Sequence, residues 1–195
     1  MTEVVLYHHV QGLTDGVRSF ADELRQAGHI VHTPDLFDGR TFATIEDGMT
    51  FAREAGFDML AARGVAAAAE TGADAVYAGF SAGVMIAQRL AQTRPGARGA
   101  LLIHACLPVG EFGDAWPEDV PVQVHGKRDD PFFAEDLAAA QALVDSTDRA
   151  ELFLYPGDEH LFADASLAAY DPAAAALLTE RVLTFLDTVQ TGDKS

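Results

Sequence analysis

Six apolar runs of strand length recur along the chain, at residues 4–7, 30–31, 75–78, 100–104, 120–125 and 151–155. Most are separated by a segment with helical spacing, and that alternation admits few folds. Strand–helix–strand units close by right-handed crossovers into a parallel sheet with helices on both faces. Near-continuous apolar strands such as VPVQV and ALLIHA fit a sheet buried on both sides. The expected fold class is α/β, with a mainly parallel sheet of about six strands flanked by helices. At 195 residues the chain is long enough for one sizeable core. A single domain over residues 1–190 is expected, with a frayed tail at 191–195.

The helical segments carry their own punctuation. In the first, Val17, Phe20, Ala21 and Leu24 share one face, with Thr14 as N-cap and Gly28 as stop. Leu137, Ala140 and Val144 mark another. The last has Asp171 as cap and Pro172 at its first position. Its buried stripe is Leu178, Val182, Phe185, Leu186 and Val189. The long interval before residue 75 holds PDLFDGRTF and two helical stretches, about 45–55 and 57–70.

Charge removes several function classes. The net charge of -17 and pI near 4.5 oppose binding to nucleic acid or to an anionic membrane surface. Cys106 is the only cysteine, so neither an internal disulfide nor a cysteine zinc site can form. The opening MTEVVLYHHV lacks the pattern of a signal peptide, and no apolar run approaches the roughly 18 residues of a membrane helix. A cytoplasmic protein is the expectation.

Chemistry enters at Gly79-Phe80-Ser81-Ala82-Gly83, a G-x-S-x-G placed between a strand and a helix. A sharp turn there forces the serine into a strained conformation that lifts its hydroxyl above the sheet edge. The glycines are needed because side chains would collide with adjoining backbone. The N–H of Ala82 then stands where it can stabilise an oxyanion. The plain alternative is a helix N-cap serine with incidental glycines.

A serine nucleophile needs a base, and the base an orienting carboxylate. In α/β serine hydrolases the chain order is Ser, then Asp or Glu, then His, each after a different strand. GKRDDPFF follows the fifth run and offers Asp129 and Asp130; PGDEHLF follows the sixth and offers His160. Side chains just past the carboxyl ends of parallel strands gather in one crevice. His29 and His32 read as surface or edge residues. His104 and His125 lie at strand ends that could face the crevice. His8 and His9 end the first strand and could line the site, or hold a metal with Asp130 and His160, although no metal-ligand spacing supports that.

With these residues in place the chain resembles the dienelactone hydrolase family. The similarity runs through YHHVQGLTDGVRSFADELRQAGH, PDLFDGR, YAGFSAG, VHGKRDDPFF and YPGDEHLFAD, nearly the whole chain. PDLF and the His160-Leu161-Phe162 ending are the more particular parts. The resemblance implies a compact, lidless α/β-hydrolase fold, with Ser81 as nucleophile, His160 as base and Asp130 as acid. Asp130 is preferred because the family places its acid before the Pro-Phe turn, five residues after a strand taken to end at His125. Oxyanion donors would be the N–H groups of Val10 and Ala82. Three positions depart from the pattern. Ser81 stands for cysteine, and His9 for a glutamate after the first strand. Asp164 replaces a carboxylate-binding arginine four residues after the histidine, so a carboxylate-bearing lactone would meet repulsion. Arg40 or Arg128 is the available substitute.

The implied function is hydrolysis of a small ester, lactone or thioester through an acyl-enzyme on Ser81, with no cofactor and no metal. Candidate pocket residues are His9, Gln11, Phe37, Trp116, Phe132 and Phe162, whose aromatics suit an apolar acyl or ring group. The alternatives are an acyltransferase using the same three residues and a non-catalytic binding module on the same fold. Oligomeric state is not encoded in any readable feature.

Overall fold

A computed structural model describes residues 1–191; the tail expectation for 191–195 lies outside them, apart from the backbone of Thr191. The strands are β1 (Glu3–Tyr7), β2 (Ile30–His32), β3 (Ala75–Phe80), β4 (Gly99–Ile103), β5 (Val122–Lys127) and β6 (Ala150–Tyr155). The helices are α1 (Asp15–Gln26), α2 (Ile45–Ala55), α3 (Phe57–Ala69), α4 (Val84–Thr93), α5 (Pro131–Ser146) and α6 (Pro172–Thr191). All strand pairings are parallel, in the order β2-β1-β3-β4-β5-β6.

Alternation along each strand divides the core in two. In β1, Val5 and Tyr7 pack with residues of α2, α3, α4 and α5, whereas Val4 and Leu6 pack with α1 and α6. Both faces are covered, which is why the central strands β3 and β4 are apolar and buried along their whole length. Caps fix the helix starts: Thr14 Oγ1 accepts the Val17 N–H, and Asp171 Oδ1 accepts the Ala173 and Ala174 N–H groups. Among the described residues no helix is long and apolar enough to cross a membrane.

Strand ends differ from expectation by a residue or two, and β5 shifts at both ends. β5 begins at Val122 and not at residue 120, because Pro121 has no N–H to give the ladder. It runs on through Gly126 and Lys127, paired with Leu154 and Tyr155 of β6. His29, read as a surface or edge residue, is buried, its Nδ1 facing the Thr2 N–H (3.4 Å). His32 is half-exposed on edge strand β2 and bonds Glu3 (2.7 Å).

The order reverses between β1 and β3, so the chain leaves these neighbouring strands toward opposite faces. A crevice opens outside their carboxyl ends, where parallel sheets bind ligands.

Candidate active site

β3 delivers Ser81 into that crevice through a tight turn. Ser81 has φ +49°, a left-handed conformation costing a side-chain-bearing residue about 1–2 kcal/mol. The turn closes only without side chains beside it. A Cβ on Gly79 would lie 2.5 Å from the backbone of Gly83 and Val84, and one on Gly83 would lie 2.5 Å from the Tyr7 carbonyl oxygen.

Ser81 Oγ lies 2.9 Å from His160 Nε2, and His160 Nδ1 lies 2.6 Å from Asp130 Oδ2. A carboxylate only accepts, so Nδ1 carries the proton and Nε2 is left to accept from the serine hydroxyl. Asp130 is buried and also caps α5, its Oδ1 accepting the Phe132 N–H (2.9 Å). The neighbouring Asp129 is exposed. Of the two acids left open by the sequence, Asp130 is the one bonded to His160. Its strand ends at Lys127 and not His125, so Asp130 follows by three residues.

The loop carrying His160 is held from below. Lys127, its side chain 2% exposed, donates to Glu159 and to Asp171 (2.7 Å), tying β5 to the His160 loop and to the start of α6. Burial alone would lower its pKa; its hydrogen bonds to the Asp171 and Glu159 carboxylates prevail and raise it. Leu161 follows His160 with φ +60°.

The candidate pocket residues separate into two groups. Val10, Ala82 and Phe37 line one narrow crevice with Leu36, Ala52, Phe57, Leu60, Met85 and Ile86. Among the described residues, no backbone acceptor takes the N–H of Val10 or of Ala82. Phe132 is exposed, its ring centroid 4.8 Å from that of His160. The others are not brought in as free pocket walls. Trp116 lines a separate hollow between the 108–116 segment and α5, its Nε1 bonded to the Val120 carbonyl (2.7 Å). Phe162 is buried under His104 and Tyr155. Gln11 is spent on Phe42, bonding its backbone on both sides. His9 touches the crevice but is fully buried, with its ring nitrogens engaged by Asp164 and the Gln11 N–H.

The expected repulsion from Asp164 is also corrected. Asp164 is buried and bonded to His9, Thr14 and Ser166, so its charge does not face a substrate. Arg40 stacks over Phe51 (5.1 Å) and Arg128 is exposed.

The remaining histidines take no part in the Ser81–His160–Asp130 row. His8 donates from Nδ1 to the His9 carbonyl and accepts the Leu36 N–H at Nε2, holding the 35–42 segment; burial lowers its pKa to about 4. His125 bonds Tyr155 and Gln123 away from the crevice, and burial takes it to about 3. His104 is buried 5.6 Å from the His160 ring, its pKa pushed well down by burial. The four residues of the metal alternative do not converge, and among the described residues no group of three or more suitable side chains could hold an ion.

A model of the dienelactone hydrolase family matches residues 1–190. A dienelactone hydrolase-like promiscuous phosphotriesterase from metagenomic libraries superposes with TM-score 0.76 at 21% identity, over 97% of this chain and 87% of its own. The dienelactone hydrolase of Anabaena variabilis gives 0.62 at 19%, over 94% and 84%. Thermogutta terrifontis esterase 2 gives 0.62 at 17%, over 96% and 83%. At these identities the likeness to the solved structures is one of fold. No curated protein matches the chain.

Proposed function

The chain belongs to the dienelactone hydrolase family, and from that membership we propose that it is a serine hydrolase of a small, uncharged ester, lactone or thioester. The observation that carries this reading is the hydrogen-bonded row Ser81–His160–Asp130, ending on a serine held in a left-handed turn.

In this mechanism Ser81 Oγ attacks the carbonyl carbon as His160 Nε2 takes its proton. Asp130 holds the imidazole in the needed tautomer and stabilises its cation. The oxyanion forms between the Val10 and Ala82 N–H groups, each worth about 3 kcal/mol of barrier. His160 returns the proton to the leaving group, and water repeats the sequence on the acyl-enzyme. The apolar lining beside those two N–H groups suits a short hydrocarbon acyl chain.

The test is hydrolysis of p-nitrophenyl acetate, phenyl acetate, a simple lactone and an acyl thioester by wild type and Ser81→Ala. The reading predicts turnover of at least one of them and a loss of about 10³-fold or more in the variant. Turnover that survives in Ser81→Ala contradicts it. Adding an alcohol acceptor separates hydrolysis from acyl transfer, since a transferase would make the new ester in preference to the acid.

A further inference from the structure

His9 and Asp164 meet in the interior although 155 positions separate them, His9 Nε2 lying 2.7 Å from Asp164 Oδ2 with both side chains wholly buried. The Gln11 N–H can only donate, and it points at His9 Nδ1 (3.2 Å). The ring proton therefore stands on Nε2 and goes to Asp164. The carboxylate also accepts from the Thr14 hydroxyl at Oδ2, and from the Ser166 hydroxyl (2.6 Å) and N–H (2.9 Å) at Oδ1. Burial alone would raise its pKa; the donors His9, Ser166 and Thr14 outweigh burial and leave it below the usual carboxylate range. Four donors fill the two oxygens.

The pair joins two loops with different tasks. His9 begins the turn that carries Val10, and Gly12 closes that turn onto the His9 carbonyl (3.0 Å). Asp164 ends the turn after His160, its N–H on the Leu161 carbonyl (3.0 Å). The turn with the oxyanion N–H and the loop with the base thus share one buried hydrogen bond. Stability alone does not call for it, because buried polar pairs are commonly replaceable by apolar packing at no cost.

Resting on the serine-hydrolase reading above, we propose that His9 and Asp164 are positioning residues. Asp164 fixes the His9 ring, whose Nδ1 holds the Gln11 N–H and so aims the preceding Val10 N–H at the developing oxyanion. The alignment matters most when charge is on the oxygen, so its loss lowers kcat and leaves KM nearly unchanged.

The test is steady-state hydrolysis of p-nitrophenyl acetate by the full chain. Rates are referred to Ser81 sites titrated with a fluorophosphonate, and a melting temperature is recorded for each variant. Asp164→Asn replaces one of the two accepting oxygens by an NH2 donor, so the side chain can no longer accept from His9, Thr14 and Ser166 together. In His9→Gln the amide nitrogen reaches the place of Nε2 and keeps the Asp164 bond, but the acceptor for Gln11 is lost. In His9→Asn the amide oxygen takes the place of Nδ1 and keeps that acceptor. We expect kcat per titrated site to fall about 10²-fold in Asp164→Asn and His9→Gln, with KM within about threefold, and most of it to return in His9→Asn. A purely structural pair would lower the melting temperatures and leave kcat per site unchanged, and that result overturns the proposal. If Asp164→Asn does not fold, the contrast between the two His9 variants decides. Wild type that neither labels nor hydrolyses would sink the serine-hydrolase reading and this proposal together. Wild type that does both, with kcat retained in the variants, sinks this proposal alone.

Discussion

A Cβ on Gly83 would stand 2.5 Å from the Tyr7 carbonyl oxygen and 2.8 Å from that of His8. The turn that raises Ser81 is therefore pressed directly onto the end of β1, where the crevice opens. Gly83→Ala must push two strands apart, and Gly79→Ala must open the turn itself. Each is expected to cost about 3 kcal/mol, read from urea denaturation midpoints, and to abolish esterase activity even where the protein still folds. Variants of wild-type stability and activity would show that the turn is slack.

Asp130 serves both His160 and the start of α5, and two substitutions separate these tasks. Asp130→Asn can still accept the Phe132 N–H, so it should keep near-wild-type stability while kcat falls about 10³- to 10⁴-fold. Asp130→Ala should lose the same activity and about 1 kcal/mol of stability in addition. Equal stability in the two would remove the capping role.

Stability should fall with pH well above the carboxylate range. In the folded protein burial holds His8 and His125 neutral, with pKa values lowered from 6.5 to about 4 and about 3. The unfolded chain therefore binds more protons below about 6.5, and ΔG of unfolding drops as pH falls through the window between 6.5 and 4. Each histidine accounts for about 2 kcal/mol by about pH 5. Urea midpoints should shift down between about pH 7.5 and 5, and His125→Gln should flatten the curve. A midpoint constant over that interval contradicts the assignment.

The crevice wall at Met85 should set acyl length. It lines the space beside Val10 and Ala82 and is half-buried. Met85→Ala is expected to raise kcat/KM for p-nitrophenyl hexanoate relative to the acetate about tenfold, as a few methylenes gain room. An unchanged ratio would place the acyl chain elsewhere.

Much of this organisation is legible in the sequence. Parallel strands covered on both faces are apolar runs, and β3 and β4 stand out for that reason, whereas the edge strands β2 and β6 are partly exposed. The elbow declares itself through Gly79 and Gly83, whose spacing matches the two close backbone approaches around Ser81. The chain order of Ser81, Asp130 and His160 is readable too, but the choice between Asp129 and Asp130 depends on which carboxylate the loop turns inward. What stays hidden is side-chain direction set by distant partners. Lys127 is a strand residue because Glu159 and Asp171 neutralise it from other elements. Phe162 points into the core because Leu161 adopts a left-handed conformation and His104 covers the ring. Trp116 reads like a pocket aromatic, yet its N–H is spent four residues away on Val120. His9 and Asp164 each look like a residue facing the substrate until the other is seen beside it.

The central claim is that Ser81 is an activated nucleophile, and labelling with a fluorophosphonate tests it most directly, the adduct located by mass spectrometry in wild type, Ser81→Ala and His160→Ala. The account predicts one adduct per chain on Ser81, absent from both variants. A folded wild type that takes no adduct, or takes it on another residue, would contradict it.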